Sequence, residues 1–117
     1  MWYRLIQIKQ SGTELTAQVT AGSSSPWFAG HFPETPILPG VAQLGMVADL
    51  ISKFSKDDLY ISGLSRIKFK KLIKPGELLS IHVFPGRKGN SRSFRIEAGE
   101  EVCTGIIMLE NKEKQKL

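Results

Sequence analysis

WFAGHFPETPILPGVAQLGMVADL, residues 27–50, runs from a loop rich in proline into an apolar helix pattern. Its first half carries Gly30 and then Pro33, Pro36 and Pro39, three prolines within seven residues. Each proline sets φ near about −65° and removes a backbone donor, so neither a helix nor a central strand passes through 33–39. That segment is a stiff, extended loop, and it holds His31, one of only two histidines in the chain. Stiffness is what a catalytic base requires to keep its geometry. From Gly40 the spacing changes. Val41, Leu44, Val47, Ala48, Ile51 and Phe54 recur at three- and four-residue intervals, which predicts a helix over 40–54. Pro39 or Gly40 opens this helix, and the unpaired N–H groups of its first turn point back toward the loop. They suit an oxygen that gains negative charge.

Outward from this centre the pattern is of strands. Residues 2–9 and 14–20 read as two strands with a turn at 10–13, and Leu15, Ala17 and Val19 alternate with polar neighbours. After the helix, 59–70, 77–84, 91–98 and 101–109 read as four more. The turns KPGE at 74–77 and PGRKGN at 85–90 separate them, with proline presetting φ and glycine accepting positive φ. In the third strand Ile67 and Phe69 alternate with Arg66, Lys68 and Lys70, giving an apolar inner and a basic outer face. The order of two strands, one apolar helix and four strands predicts an α+β domain in which an antiparallel sheet curls round the helix.

The chain has 117 residues, too few for two ordinary cores, so a single domain over 1–117 is expected, with 110–117 a frayed, charged tail. A core this modest makes an oligomer plausible on physical grounds. The single cysteine, Cys103, forms no internal disulfide and reads as a buried small hydrophobe in a reducing compartment. No apolar run approaches the roughly 18 residues of a membrane span, and no secretory leader is evident, so the cytoplasm is the expected location. The net charge is +5. Arg66, Lys68, Lys70, Lys71 and Lys74 crowd one strand and its exit, and Arg87, Lys88 and Arg92 crowd a hairpin. Solubility is the plain reading of such a charge, and an acidic protein partner the sharper one. Nucleic acid is not expected, because aromatic residues are not interleaved with the cations.

Gly30-His31-Phe32-Pro33, followed by Pro36 and Pro39-Gly40-Val41, closely resembles the signature of the 3-hydroxyacyl-acyl-carrier-protein dehydratases of the hotdog fold. The segment ISGLSRIKFKKLIKPGELL, residues 61–79, resembles that family's third strand and the turn after it. The resemblance spans about residues 27–110. It implies a hotdog fold, a curved antiparallel sheet wrapped around one long central helix, paired as a homodimer or higher oligomer with the site at the subunit interface. It also implies β-elimination of water from a 3-hydroxyacyl thioester of acyl-carrier protein or CoA. In this sequence the base falls on His31, with Gly30, Phe32, Pro33 and Pro39 shaping its pocket. The amides of Gly40 and Val41 fall where the thioester oxygen is held, and an acyl tunnel follows the helix. No metal or cofactor is called for. Lys68, Lys70, Lys71 and Arg87 are the candidates to meet an acidic carrier.

The family places a carboxylate on the helix five residues after the glycine of the proline-glycine pair, and here that position is Gly45. Glycine inside a helix costs about 1 kcal/mol relative to alanine, which suggests close packing or an open volume there. Asp49 lies on nearly the same face, ~6 Å further along the axis. Gln43 is placed to bind a polar group, a water or a partner subunit. Three outcomes stay open: His31 returns its own proton to the hydroxyl, Asp49 or a water held by Gln43 replaces the acid, or the protein binds acyl chains without turning them over. Thioester hydrolysis on the same fold is a further alternative. His82, inside a strand pattern, reads as a structural residue.

Overall fold

Pro39, at φ −61 and ψ 150, closes an extended segment and caps helix α1, Gly40–Lys53, without a side-chain hydrogen bond. The computed structural model describes residues 2–22, 25–28, 37–55 and 57–112. α1 stops one residue short of the expected end, where the Phe54 N–H bonds back to Leu50 O at 3.2 Å. Ala42, Gln43, Met46, Val47, Leu50 and Ile51 form its buried face. No helix among the described residues is long and apolar enough to cross a membrane.

Six strands accompany α1: β1, Arg4–Ser11; β2, Glu14–Thr20; β3, Leu59–Phe69; β4, Leu78–Pro85; β5, Ser91–Ala98; and β6, Glu100–Asn111. β2 and β5 have the expected bounds, and the others shift by one or two residues. A short 3-10 turn, Pro26–Phe28, precedes the histidine loop and had no sequence signal. The expectation of a frayed tail from 110 is corrected. Glu110 and Asn111 belong to β6, and the Lys112 N–H bonds to Asp58 O at 2.9 Å. Residues 113–117 lie outside the described residues.

The strands form one antiparallel sheet in the order β1-β2-β4-β5-β6-β3, leaving β1 and β3 at its edges. Register explains the core. Ala17 pairs with Ile81, Ile81 with Ile96, Ile96 with Cys103 and Cys103 with Phe69, so one row of side chains crosses five strands. The first four of these are buried, as are Met46, Val47 and Leu50 of the helix. The opposite face carries His82, Ser93, Arg95, Thr104 and Lys68, whose side chains alternate with the core set. His82 there contacts Glu97 at 2.9 Å, as a structural residue would.

The simple alternation expected in β3 breaks at one point. A register shift falls between Ser65 and Lys68, and Arg66 there has φ 54. A left-handed conformation costs a non-glycine residue about 1–2 kcal/mol. The bulge turns Ile67 toward Gly105, where an added Cβ would lie 2.4 Å from Ile67 Cδ1.

β1 is tied to α1 by a buried side chain. Tyr3 is 5% exposed and its hydroxyl donates to Asp49 Oδ2, while Lys53 Nζ lies 3.3 Å from the same oxygen. Burial, reinforced by the neighbouring carboxylate, raises the Tyr3 phenol above the ordinary tyrosine range. The unfolded chain therefore releases this proton first, so the tie is intact below about pH 10 and its contribution is lost as pH rises beyond that. Denaturant titrations at successive pH values should show stability falling above about pH 10. Tyr3→Phe should flatten that fall, leaving the smaller contributions of Tyr60 and of the buried Cys103 thiol, both also raised. An unchanged alkaline slope in Tyr3→Phe would show that the tie contributes nothing.

Candidate active site

The site is built on Leu38. This residue is 2% exposed; its N–H bonds to Ile73 O at 2.8 Å, and its carbonyl accepts from Gln43 Nε2 at 3.1 Å. One residue is thus held from both sides, and the end of the proline loop is fixed to the β3–β4 connection and to the first turn of α1. His31, with Gly30, Phe32 and Pro33, lies outside the described residues. Pro39 O accepts from the amides of Ala42 and Gln43, each at 3.1 Å. The preceding amides, of Gly40 and Val41, have no acceptor among the described residues and form the donor end of α1.

Phe69 reaches this end from β3. A Cβ on Gly40 would sit 2.6 Å from Phe69 Cζ, so glycine lets the ring lie against the start of the helix. Phe69 is 51% exposed, Val41 69% and Leu72 61%. Two amides without an acceptor among the described residues, beside an apolar surface, suit a thioester, whose carbonyl oxygen needs donors and whose carbon chain needs dry contacts.

Gly45 is exposed, and a Cβ there would meet nothing within 4 Å. Of the two readings of this glycine, open volume is the one seen among the described residues. Asp49 is engaged by Tyr3 and Lys53, which gives it a structural task. Gln43 is 3% exposed, so it is a core residue and no break in the apolar pattern. Two helical steps of 100° place it almost opposite Gly45, away from the space where the family's acid stands. Its Nε2 is used on Leu38, and its buried Oε1 has no hydrogen-bond partner.

The cations divide into two groups. Lys70 contacts Glu101, whose carboxyl it holds below the usual range, and Lys71 lies 3.2 Å from Glu100. Lys68 and Arg87 have no carboxylate partner among the described residues. Phe69, Leu38 and Tyr3 escaped the sequence reading as site residues. Their contacts join segments far apart in the chain, and strand-like alternation around Phe69 carries no sign of Gly40. No cluster of three metal-ligating side chains occurs among the described residues.

The family model described as ApeI dehydratase matches residues 7–106. The 3-hydroxyacyl-(acyl-carrier-protein) dehydratase FabZ of Caldicellulosiruptor bescii is 31% identical over 116 residues, covering 90% of this chain and 82% of that protein. Among solved structures, the dehydratase heterocomplex ApeI:P from Xenorhabdus doucetiae matches with a TM-score of 0.85 and 28% identity, covering 93% of this chain and 98% of that one. The (R)-hydratase from A. caviae shares the fold alone, with a TM-score of 0.63, 16% identity and coverage of 91% and 97%. With an antiparallel sheet of six strands packed on one helix and this match over most of its length, the chain has the hotdog fold and belongs to the ApeI-like dehydratase family.

Proposed function

We propose that the chain is a hydro-lyase that removes water from a 3-hydroxyacyl thioester carried by acyl-carrier protein or CoA. The observation that carries this reading is the dehydratase family match, set on a helix whose Gly40 and Val41 amides have no acceptor among the described residues. His31 takes the proton from carbon 2, and the electron pair moves toward the thioester carbonyl. Its oxygen gains charge and is held by the two amides, each worth about 3 kcal/mol. The pair then forms the double bond between carbons 2 and 3 while the carbon–oxygen bond at carbon 3 breaks. The hydroxyl leaves as water with the proton His31 carried. One hydroxyacyl thioester yields one enoyl thioester and one water.

A dedicated acid on the helix is typically worth ~10²–10⁴ in rate. Without one at Gly45, the expected wild-type turnover is slow. A second arrangement has a specific observation behind it: the similar dehydratase from Xenorhabdus doucetiae is a heterocomplex. The open face at Gly45 leaves room for a carboxylate supplied by a partner subunit. Pairing itself is favoured by the free edge of β3, where Ile61 and Leu64 are exposed. A homodimer joined along that edge is the simplest form, working in the cytoplasm on an acidic carrier received by Lys68, Lys70, Lys71 and Arg87. Lys68 and Arg87 contribute most, because the other two are already paired.

Enoyl formation from a short 3-hydroxyacyl thioester tests the chemistry. Wild type should show slow conversion, His31→Ala none, and Gly45→Glu a rise of ~10²-fold. Gly45→Ala should keep the wild-type rate and add up to ~1 kcal/mol of stability, since the side chain enters open space. Release of free thiol would mean hydrolysis instead. A folded wild type and Gly45→Glu that are both inert would leave acyl binding as the function. Sedimentation should show a dimer or larger species, and a concentration-independent monomer would remove the pairing.

A further inference from the structure

Two adjoining grooves run over the sheet face opposite α1. One, of about 470 Å³, lies between Ser65, Arg66 and the β4–β5 hairpin with Arg87 and Lys88. The other, of about 560 Å³, continues along Arg66, Lys68 and Lys70 toward Thr104. Arg66, Ser93 and Ile106 line both, and no aspartate or glutamate among the described residues lines either. Arg66, Lys68, Arg87 and Lys88 have no carboxylate partner among the described residues, unlike Lys70, which Glu101 neutralises. Four uncompensated cations around hydroxyl donors make a receptor for a compact anion of high charge. The guanidinium fork and the serine hydroxyls fit phosphate oxygens better than the dispersed carboxylates of a protein surface.

The backbone supports this assignment. Arg66 occupies φ 54 at the bulge, a conformation glycine would adopt without strain. A long cation kept at such a position indicates that its side chain is used. The hairpin bearing Arg87 and Lys88 is held rigid: the Lys88 N–H bonds to Ser91 Oγ at 3.2 Å, and that hydroxyl donates to Lys88 O at 2.9 Å. Only three residues along β3 from Arg66, Phe69 touches Gly40 at the donor end of α1. At ~3.3 Å per residue the strand spans about 10 Å between them, with Phe69 on the α1 face and the groove on the other, so an arm joining them passes round the end of β3. We infer that the Arg66 groove binds a phosphate group of the arm that carries the thioester. This rests on the reading of the substrate given above. Such a phosphate is present in the phosphopantetheine of a carrier protein and in coenzyme A alike. Pairing along the β3 edge would leave these face-directed side chains open.

Titration calorimetry with coenzyme A, 4′-phosphopantetheine and unphosphorylated pantetheine tests the site on wild type, Arg66→Gly and the double variant Arg87→Ala/Lys88→Ala. Both phosphorylated probes should bind at least tenfold tighter than pantetheine, and salt should weaken them by screening. Arg66→Gly should remove most of that tenfold difference while its melting temperature stays level or rises, because glycine accepts φ 54. The hairpin variant should lose binding in the same direction, which covers any unexpected failure of Arg66→Gly to fold. Phosphopantetheine binding as tightly as coenzyme A, and tighter than pantetheine, assigns the groove to the arm's own phosphate and supports the inference. Coenzyme A alone binding tighter, with phosphopantetheine level with pantetheine, assigns the groove to the nucleotide phosphates and overturns it. Pantetheine binding as tightly as its phosphorylated forms, or Arg66→Gly leaving the difference intact, overturns it. The readout is binding, so a chain that binds these probes but forms no enoyl product would fail the catalytic reading and leave the groove assigned.

Discussion

The structure depends on keeping one face of α1 dry. Met46, Val47 and Leu50 are fully buried, and Ala42 and Ile51 nearly so. Burying each large apolar side chain is worth about 1.5–3 kcal/mol, a large share of what holds a small domain together. No single strand covers such a face. The row from Ala17 through Ile81 and Ile96 to Cys103 does so with four, and the displacement of β3 to the far edge of the sheet brings those four together. The chemistry follows from this packing. With the helix seated, Pro39 and Gly40 can open it only at the sheet end where Leu38, Ile73 and Phe69 stand.

Much of this was legible in the residues. The three- and four-residue spacing from Val41 to Ile51 located the helix, because a buried helical face must repeat at the helix period. Strand limits at β2 and β5 came out as expected, since Leu15, Ala17 and Val19, or Phe94 and Ile96, alternate strictly. The start of the helix was legible too, because proline and glycine at 39 and 40 admit few other arrangements. His31 itself remains an assignment from the motif, outside the described residues.

What stayed hidden is long-range or depends on a local break in period. Gln43 looked available to a polar group, a water or a partner subunit, yet it is a core residue whose amide anchors Leu38. Asp49 looked like a free carboxylate one turn past Gly45, and only the folded chain brings Tyr3 to it. The bulge at Arg66 defeated the alternation rule in β3, because inserting one residue resets which side chains share a face. In each case the deciding neighbour lies far away in sequence, or the backbone angle differs from what the residue type favours.

The row of core side chains has one member with chemistry of its own. Cys103 is fully buried between Ile96 and the start of the β3 pairing, and burial pushes its thiol up to about 11. At neutral pH roughly one molecule in ten thousand then carries the thiolate that reacts with oxidants and alkylating reagents. In the folded state this sole sulfhydryl is therefore close to inert toward peroxide and maleimide alike. A cysteine introduced at an exposed position would be labelled in preference to it, so the native chain already provides the background on which spectroscopic probes of loop or subunit motion can be mounted.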